Sequence, residues 1–488
     1  MGNVNLFGRQ VILSDAPEIT RGNVLDELAA SMQYHTVNSA QIDYLYRYYT
    51  GEQDILQRVK EIRPEICNKI VVNIANEIVT FKTSYQCGSP IQYISTSKDE
   101  DTTEDVSLLN KLMTIEGKEA KDQQLFDWMF IAGLGYRFVK PRSNPTEDEA
   151  PFMICVPDPR TCYVVYSSDI ERKPLFAVKY RKDPETVQNP HTLYSVYTKD
   201  KLFTIQDDDI IKEESHTYGD IPIIEYPANS ARLGSFELVK SMLDAINTVE
   251  SNRVDGIEQN IQAFLKFINC EVDEDQMTQL RYLGAIMIKS ANGQEADVDS
   301  VKTDIDQNQT QTTKDDLYQT ILTICGMPNR NGGSSTSDTG AAVEMRDGFT
   351  AAEARAKAVE AMYNTSERKM LKLVLKFMRE LSDAGQLYGM SDGNKFDLRL
   401  IDTDIKATRR NYENIQSKAQ VLTEMLDNEK IHPQLAFQHC GMFPDPESAY
   451  KMSEEYHKEY MESEAKRIDQ LTGVNGGDDD ANADTANV

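Results

Sequence analysis

Residues 236–268 read FELVKSMLDAINTVESNRVDGIEQNIQAFLKFI, the longest uninterrupted helical pattern in the chain. Val239, Leu243, Ile246, Val254, Ile257, Ile261, Phe264 and Ile268 recur at helical steps and fall on one face, with only Glu250 interrupting the stripe. At about 1.5 Å per residue such a helix reaches roughly 50 Å, enough to cross a whole domain. Gly256 in its middle costs about 1 kcal/mol relative to alanine. Two readings fit the stripe: a long core helix of an ordinary domain, or a spar that links two bodies or lines a channel in an oligomer. The flanking sequence discriminates between them.

Downstream, residues 269–304 form a compact insertion. It has a short acidic helix, a strand GAIMIKS, an Asn292-Gly293 turn suited to a hairpin and a second extended piece. TTKDDLYQTILTICGMPN (312–329) is again helical, with Leu317, Ile321 and Ile324 on one face and a stop at Gly326 and Pro328. The pattern is a helix going out, a small module, and a helix returning. RNGGSSTSDTG (330–340) has the composition of a flexible loop. A very long helical pattern then runs from 341 to 385, with Asp347-Gly348 as a kink or break, followed by a strand KFDLRLID (395–402). Further helices run to about residue 467, separated by HPQ and by Gly441 to Pro446. The tail GGDDDANADTANV has too little apolar content to fold.

Upstream, residues 1–40 say little beyond an Asp15-Ala16-Pro17 turn and a short helical pattern around VLDELAASM. Two helices are expected next: one carrying Tyr44, Tyr46, Tyr48 and Tyr49 up to Gly51, and NKIVVNIANEIVTFKTSY (68–85). A strand IQYIS, an acidic loop KDEDTTED and helical sequence through 105–145 follow, with an apolar run near Trp128 that breaks at Gly133 and Gly135. MICVPD, TCYVVYSS, PLFAVKYRK, LYSVYT and KLFTI read as strands of an antiparallel sheet, and DIPIIEYPAN leads out of it. The fold class is α+β.

A chain of 488 residues exceeds one hydrophobic core, so two to four structural units are expected. There is no apolar run of 18 residues and no signal-peptide h-region, and mean hydropathy is -0.52, so the chain is expected to be cytosolic, neither spanning nor entering a membrane. Seven scattered cysteines without a C-x-x-C read as reduced core residues. A net charge of -27 argues against adhesive binding to nucleic acid, which draws on clustered Lys and Arg.

No catalytic, cofactor or metal site emerges. The Gly/Ser loop lacks the lysine and the preceding strand of a P-loop. His439-Cys440 precedes Gly441 at a helix end, a better account than a thiol nucleophile. The six histidines show no metal spacing, and Asp207-Asp208-Asp209 reads as a hairpin loop without the positions of a calcium loop.

Taken together, YRYYTGEQDI (46–55), KIVVNIANEIVTFKTSYQCGSPIQY, the GDIPIIEYPAN entry into FELVKSMLDAINTVESNRVDGIE, and the TGAAVE start of the helix after the Gly/Ser loop resemble the portal proteins of tailed bacteriophages, over roughly residues 40–465. The resemblance implies a portal fold. Its parts are a mixed α/β wing (41–235 and 349–403), a two-helix stem (236–268 and 312–328), a small α/β clip (269–311), a tunnel loop (329–348), a long bent helix, and a helical crown (404–466). Residues 1–40 form an N-terminal segment to which nothing is carried over, and 467–488 a disordered acidic tail. It implies a ring, usually of twelve subunits, at one capsid vertex of the virion, assembled in the host bacterial cytoplasm. Double-stranded DNA passes through the ring in packaging and ejection. Partners implied are the terminase large subunit, a head-completion or adaptor protein, and the major capsid and scaffold proteins.

On this reading the clip residues Glu271, Asp273, Glu274 and Asp275 dock terminase and connector. Arg330, Ser334, Ser335, Thr336, Ser337, Thr339 and Arg346 of the tunnel loop meet phosphate oxygens. From Phe236 to Arg330 there are 16 acidic and 8 basic side chains, a difference of -8, so a channel built from this segment repels phosphates and centres a duplex without gripping it. Two alternatives from other classes stay open: a nucleotide- or nucleic-acid-processing enzyme with a carboxylate site at Asp207, or a helical scaffold or adaptor without a channel.

Overall fold

A computed structural model describes residues 8–97, 99–182, 191–261, 264–268, 270–271, 275, 289–290, 297–301, 307–328, 348–389, 395–407, 409, 415–443 and 446–473. The protein is mixed α+β. A strand β1 (Ile12–Ser14) leads into α1 (Val24–Thr50), then α2 (Ile74–Cys87), β2 (Gln92–Ser95), α3 (Glu100–Ile115) and α4 (Lys118–Ala132). Strands β3 (Leu134–Pro141), β4 (Phe152–Cys155), β5 (Cys162–Ser167), β6 (Pro174–Lys182), β7 (Thr192–Tyr197), β8 (Lys201–Gln206), β9 (Asp209–Ser215) and β10 (Ile223–Pro227) follow. Next come α5 (Lys240–Ile261), β11 (Phe264–Ile268), β12 (Cys270–Glu271), β13 (Lys289–Ser290), β14 (Asp297–Val301) and α6 (Gln307–Cys325). The chain closes with α7 (Phe349–Asp383), β15 (Thr403–Lys406), α8 (Ile415–Leu426), α9 (Pro433–His439) and α10 (Pro446–Gly473).

The expected single sheet is divided. Six strands run in the order β1-β5-β6-β7-β8-β9, a separate sheet runs β10-β3-β4, and β15 pairs with β2. The first 40 residues, of which the sequence says little, are built in from residue 8: β1 pairs in parallel with β5, and the helical pattern around VLDELAASM is continuous with the tyrosine helix in α1. Its buried face, Val24, Leu28, Ile42 and Leu45, crosses from one apolar cluster to the other. One cluster packs α1 against the six-stranded sheet; the other gathers α2, α3, α4, the starts of α5 and the end of α6 around the middle of α7.

Local chemistry accounts for the other departures. Helix α2 starts at Ile74 and not at 68, because the Asn73 side chain accepts from Asn76 N–H and caps it. KFDLRLID does not pair; the strand is its continuation, Thr403–Lys406. Asp207 and Asp208 both take positive φ, 49° and 68°, giving the hairpin turn between β8 and β9 that the carboxylate run suggested.

Candidate functional site

The helix pair α5–α6 is the part of the molecule that stands out from the core. Phe236, Val239, Leu243 and Ile246 at the root of α5 are buried, as are Ile321, Leu322 and Cys325 at the end of α6. Farther out Val254 is half-buried and Ile257 is 48% exposed. Glu250, the polar interruption in the stripe, takes Lys314 of α6 at 2.5 Å, and Arg253 donates to Gln311 Oε1 at 2.9 Å. The partner of the stripe's outer half is therefore not supplied by α6 alone.

The outgoing helix is shorter than its periodicity suggested. It ends at Ile261, about 33 Å long rather than 50. Phe264–Ile268 is instead a strand, antiparallel to Asp297–Val301. FLKFI carries aromatic and β-branched residues that serve either period, and a strand partner 30 residues on decides for pairing. Helix α6 extends the other way, starting at Gln307, five residues before the expected 312.

The second face of α5 holds what the sequence did not reveal. Asn247, Ser251 and Asp255, one turn apart, are buried against the extended segment before α2. Asn247 Oδ1 accepts from Val72 N–H at 2.8 Å, Ser251 Oγ from Ile70 N–H at 3.0 Å, and Asp255 Oδ1 from Asn68 N–H at 2.7 Å. The match is geometric: four helical residues rise about 6 Å and two extended residues span about 6.6 Å. Asp255 also binds Arg58 at 3.1 Å and Lys60 at 3.0 Å, closing the loop that runs from 58 to 68. Burial alone would raise the Asp255 carboxyl, but the Asn68 donors and Lys60 hold it below its ordinary value. The only sequence signal was three small polar residues at four-residue spacing, which reads equally as a solvent face.

The two ends of the segment expected to touch DNA lie side by side. Gly326 turns the chain out of α6 with φ 65°, and Gly348 brings it into α7 with φ 84°. A β-carbon on Gly326 would lie 2.3 Å from Arg355 Cδ, and Arg355 donates to the Ile324 and Thr323 carbonyls at the end of α6. The root of the loop is thus stapled to the first turns of α7. Arg330, Ser334, Ser335, Thr336, Ser337, Thr339 and Arg346 lie outside the described residues, as do Asp273 and Glu274. Glu271 stands opposite Lys289 in the β12–β13 register, and Asp275 is exposed.

Helix α7 is held by a buried ionic cluster. Glu367 accepts from Arg137 at 2.6 Å and from the Tyr93 and Tyr226 hydroxyls at 2.7 Å each, and lies 3.1 Å from Lys118. Asp122 completes the cluster, with Lys118 Nζ at 2.6 Å and Arg137 on its other oxygen. Burial would raise the Glu367 carboxyl; Arg137 and Lys118 overcome this and hold it at about 2. Burial lowers Lys118 to about 8, against the pull of Glu367. Arg137 sits in an apolar strand sequence and Glu367 in the apolar stripe of α7, the one sequence signal either offered.

Among the described residues no group of three or more His, Cys, Asp or Glu is placed to hold a metal, and no helix is long and apolar enough to cross a membrane. Cys440 is buried, its thiol donating to the Phe437 carbonyl at 3.3 Å, at the end of α9 as expected. A family model described as "Phage portal protein, SPP1 Gp6-like" matches residues 32–470, and the chain belongs to that family of phage head-to-tail connector proteins. The family is structural and not enzymatic, and it implies a ring oligomer in the virion capsid. No curated protein matches the chain.

Proposed function

We propose that this protein is the portal subunit of a tailed phage, forming a closed ring of about twelve copies at one capsid vertex through which double-stranded DNA is packaged and ejected. The observation that carries this is the family match over residues 32–470, to which the helix pair adds Ile257, an apolar residue of the stripe left 48% exposed by its own chain. Cyclic symmetry covers such a stripe with the neighbouring copy and leaves no open edge. The parts then take the roles of wing (41–235 and 349–403), stem (236–268 and 312–328), clip (269–311), tunnel loop (329–348) and crown (404–466). The clip, at the far end of the stem, receives the terminase large subunit and later the head-completion protein, while wing and crown meet capsid and scaffold subunits. The tunnel loop, sprung from one stapled root, brings Ser and Thr hydroxyls and Arg330 and Arg346 to the DNA backbone. Native mass measurement and negative-stain imaging of the purified chain test the reading. A ring with a central hole is expected, and a stable monomer at micromolar concentration and moderate salt overturns it.

A further inference from the structure

Between β5, β10 and the middle of α7 lies a cleft of about 570 Å³. Lys173, Lys199, Lys369 and Lys372 line it, in a chain whose net charge is -27. The two carboxylates of the lining are already engaged, Asp220 with Lys372 at 2.8 Å and Glu225 with Arg232 at 2.6 Å. Lys173 is taken by Glu171. Lys199 and Lys369 make no ion pair among the described residues, so the cleft presents uncompensated positive charge on a molecule that is otherwise strongly negative.

Below the ammonium groups the cleft is apolar, with Ile221, Ile223 and Leu373 buried in its floor. One wall is an edge strand. β10 ends its sheet, and on its inner side Pro222 O accepts from Val139 N–H of β3 at 2.9 Å. Backbone groups alternate sides along a strand, so Ile223 and Glu225 turn theirs outward. The Glu225 carbonyl is taken by Ser366 Oγ of α7 at 2.7 Å and Ile223 is 2% exposed, so this edge is closed and serves as a wall only. Cationic rim and apolar floor together match an acidic polypeptide segment: carboxylates to the lysines and an apolar side chain to the floor. Phosphodiester backbone offers the first of these and not the second, and the volume suits a short segment, being within the roughly 300–1,000 Å³ of small-ligand sites.

We propose that this cleft docks an acidic segment of a partner protein, bound through Lys199 and Lys369. The inference stands on the cleft alone and does not depend on the portal reading.

The test is fluorescence anisotropy on the full chain with a labelled peptide of about ten residues alternating glutamate with leucine or alanine. Saturable binding at low salt is expected, weakened at least tenfold by Lys369→Glu and by Lys199→Glu, neither of which breaks an ion pair of the fold. Lys458→Glu on α10, far from the cleft in sequence and exposed, should leave it unchanged. Circular dichroism of each variant confirms that the fold is kept. No saturable binding, or binding insensitive to both cleft variants, overturns the proposal. So does a single-stranded oligonucleotide of equal charge that binds as tightly with the same variant sensitivity. A chain truncated after residue 473 that binds the probe much more tightly, with the free 474–488 peptide competing, makes the chain's own tail the occupant and overturns the partner.

Discussion

Replacing Glu367 with glutamine should unlock the middle of α7. The carboxylate sits between Arg137 and Lys118 with two tyrosine hydroxyls on it, and its exposure is 0%. Lowering it from 4.5 to about 2 corresponds to about 3 kcal/mol of stability. The sign follows from the depressed value: this contribution is full above pH 4.5 and is lost as pH falls toward 2. The amide keeps the shape but takes the cluster from two cations and two carboxylates to an excess positive charge, and breaking a buried pair in this way costs about 3–5 kcal/mol. Lys118, already lowered to about 8, answers the loss by releasing its proton more readily, so the deficit of Glu367→Gln should shrink as pH rises toward 8. Adding Lys118→Met, which removes the excess charge, should restore part of the stability in a double-mutant cycle. Urea denaturation at equal protein concentration, from pH 3 to 9, reads all three effects. A loss under about 1 kcal/mol at pH 7, a deficit equally large at pH 3, or no rescue by Lys118→Met would refute the assignment of this cluster as the lock.

Three further outcomes are expected. Asp255→Ala should cost about 2 kcal/mol by orphaning Asn68 N–H and removing the ion-pair partner of Arg58 and Lys60, and limited proteolysis should shift to sites between 58 and 68; an unchanged cleavage pattern counts against the polar seam. Shortening residues 332–339 should leave ring assembly intact while packaging or DNA retention fails, and normal packaging would reduce the stretch to a linker. Reversing charge at Glu271 and Asp275 should likewise spare the ring, as seen by native mass measurement, and stop packaging by terminase; loss of rings would make the clip an assembly element instead.

Much of the element order was legible because periodicity is local. The stripe on α5, the turn at Asp207-Asp208 and the break at Gly348 are each decided within a few residues. The motifs that resemble portal proteins are short and ordered along the chain, and the family match over 32–470 agrees with them. Where local signals were double, the sequence misled: FLKFI suits helix or strand, and its pairing with Asp297–Val301 settled the matter. The short stretch at 12–14 has no periodicity to read, yet it completes a sheet beside β5.

The sequence by itself determined the α+β class, the out-and-back helix pair and the family, because these depend on side-chain spacing along one segment. The tertiary structure alone decided which polar residues are inside. Asn247, Ser251 and Asp255 look like a wet helix face until residues 68–72 lie against them, and Glu367 meets Arg137 across 230 residues of chain. A buried polar group is stable only where its partner arrives, and that arrival is a property of packing that no local pattern encodes.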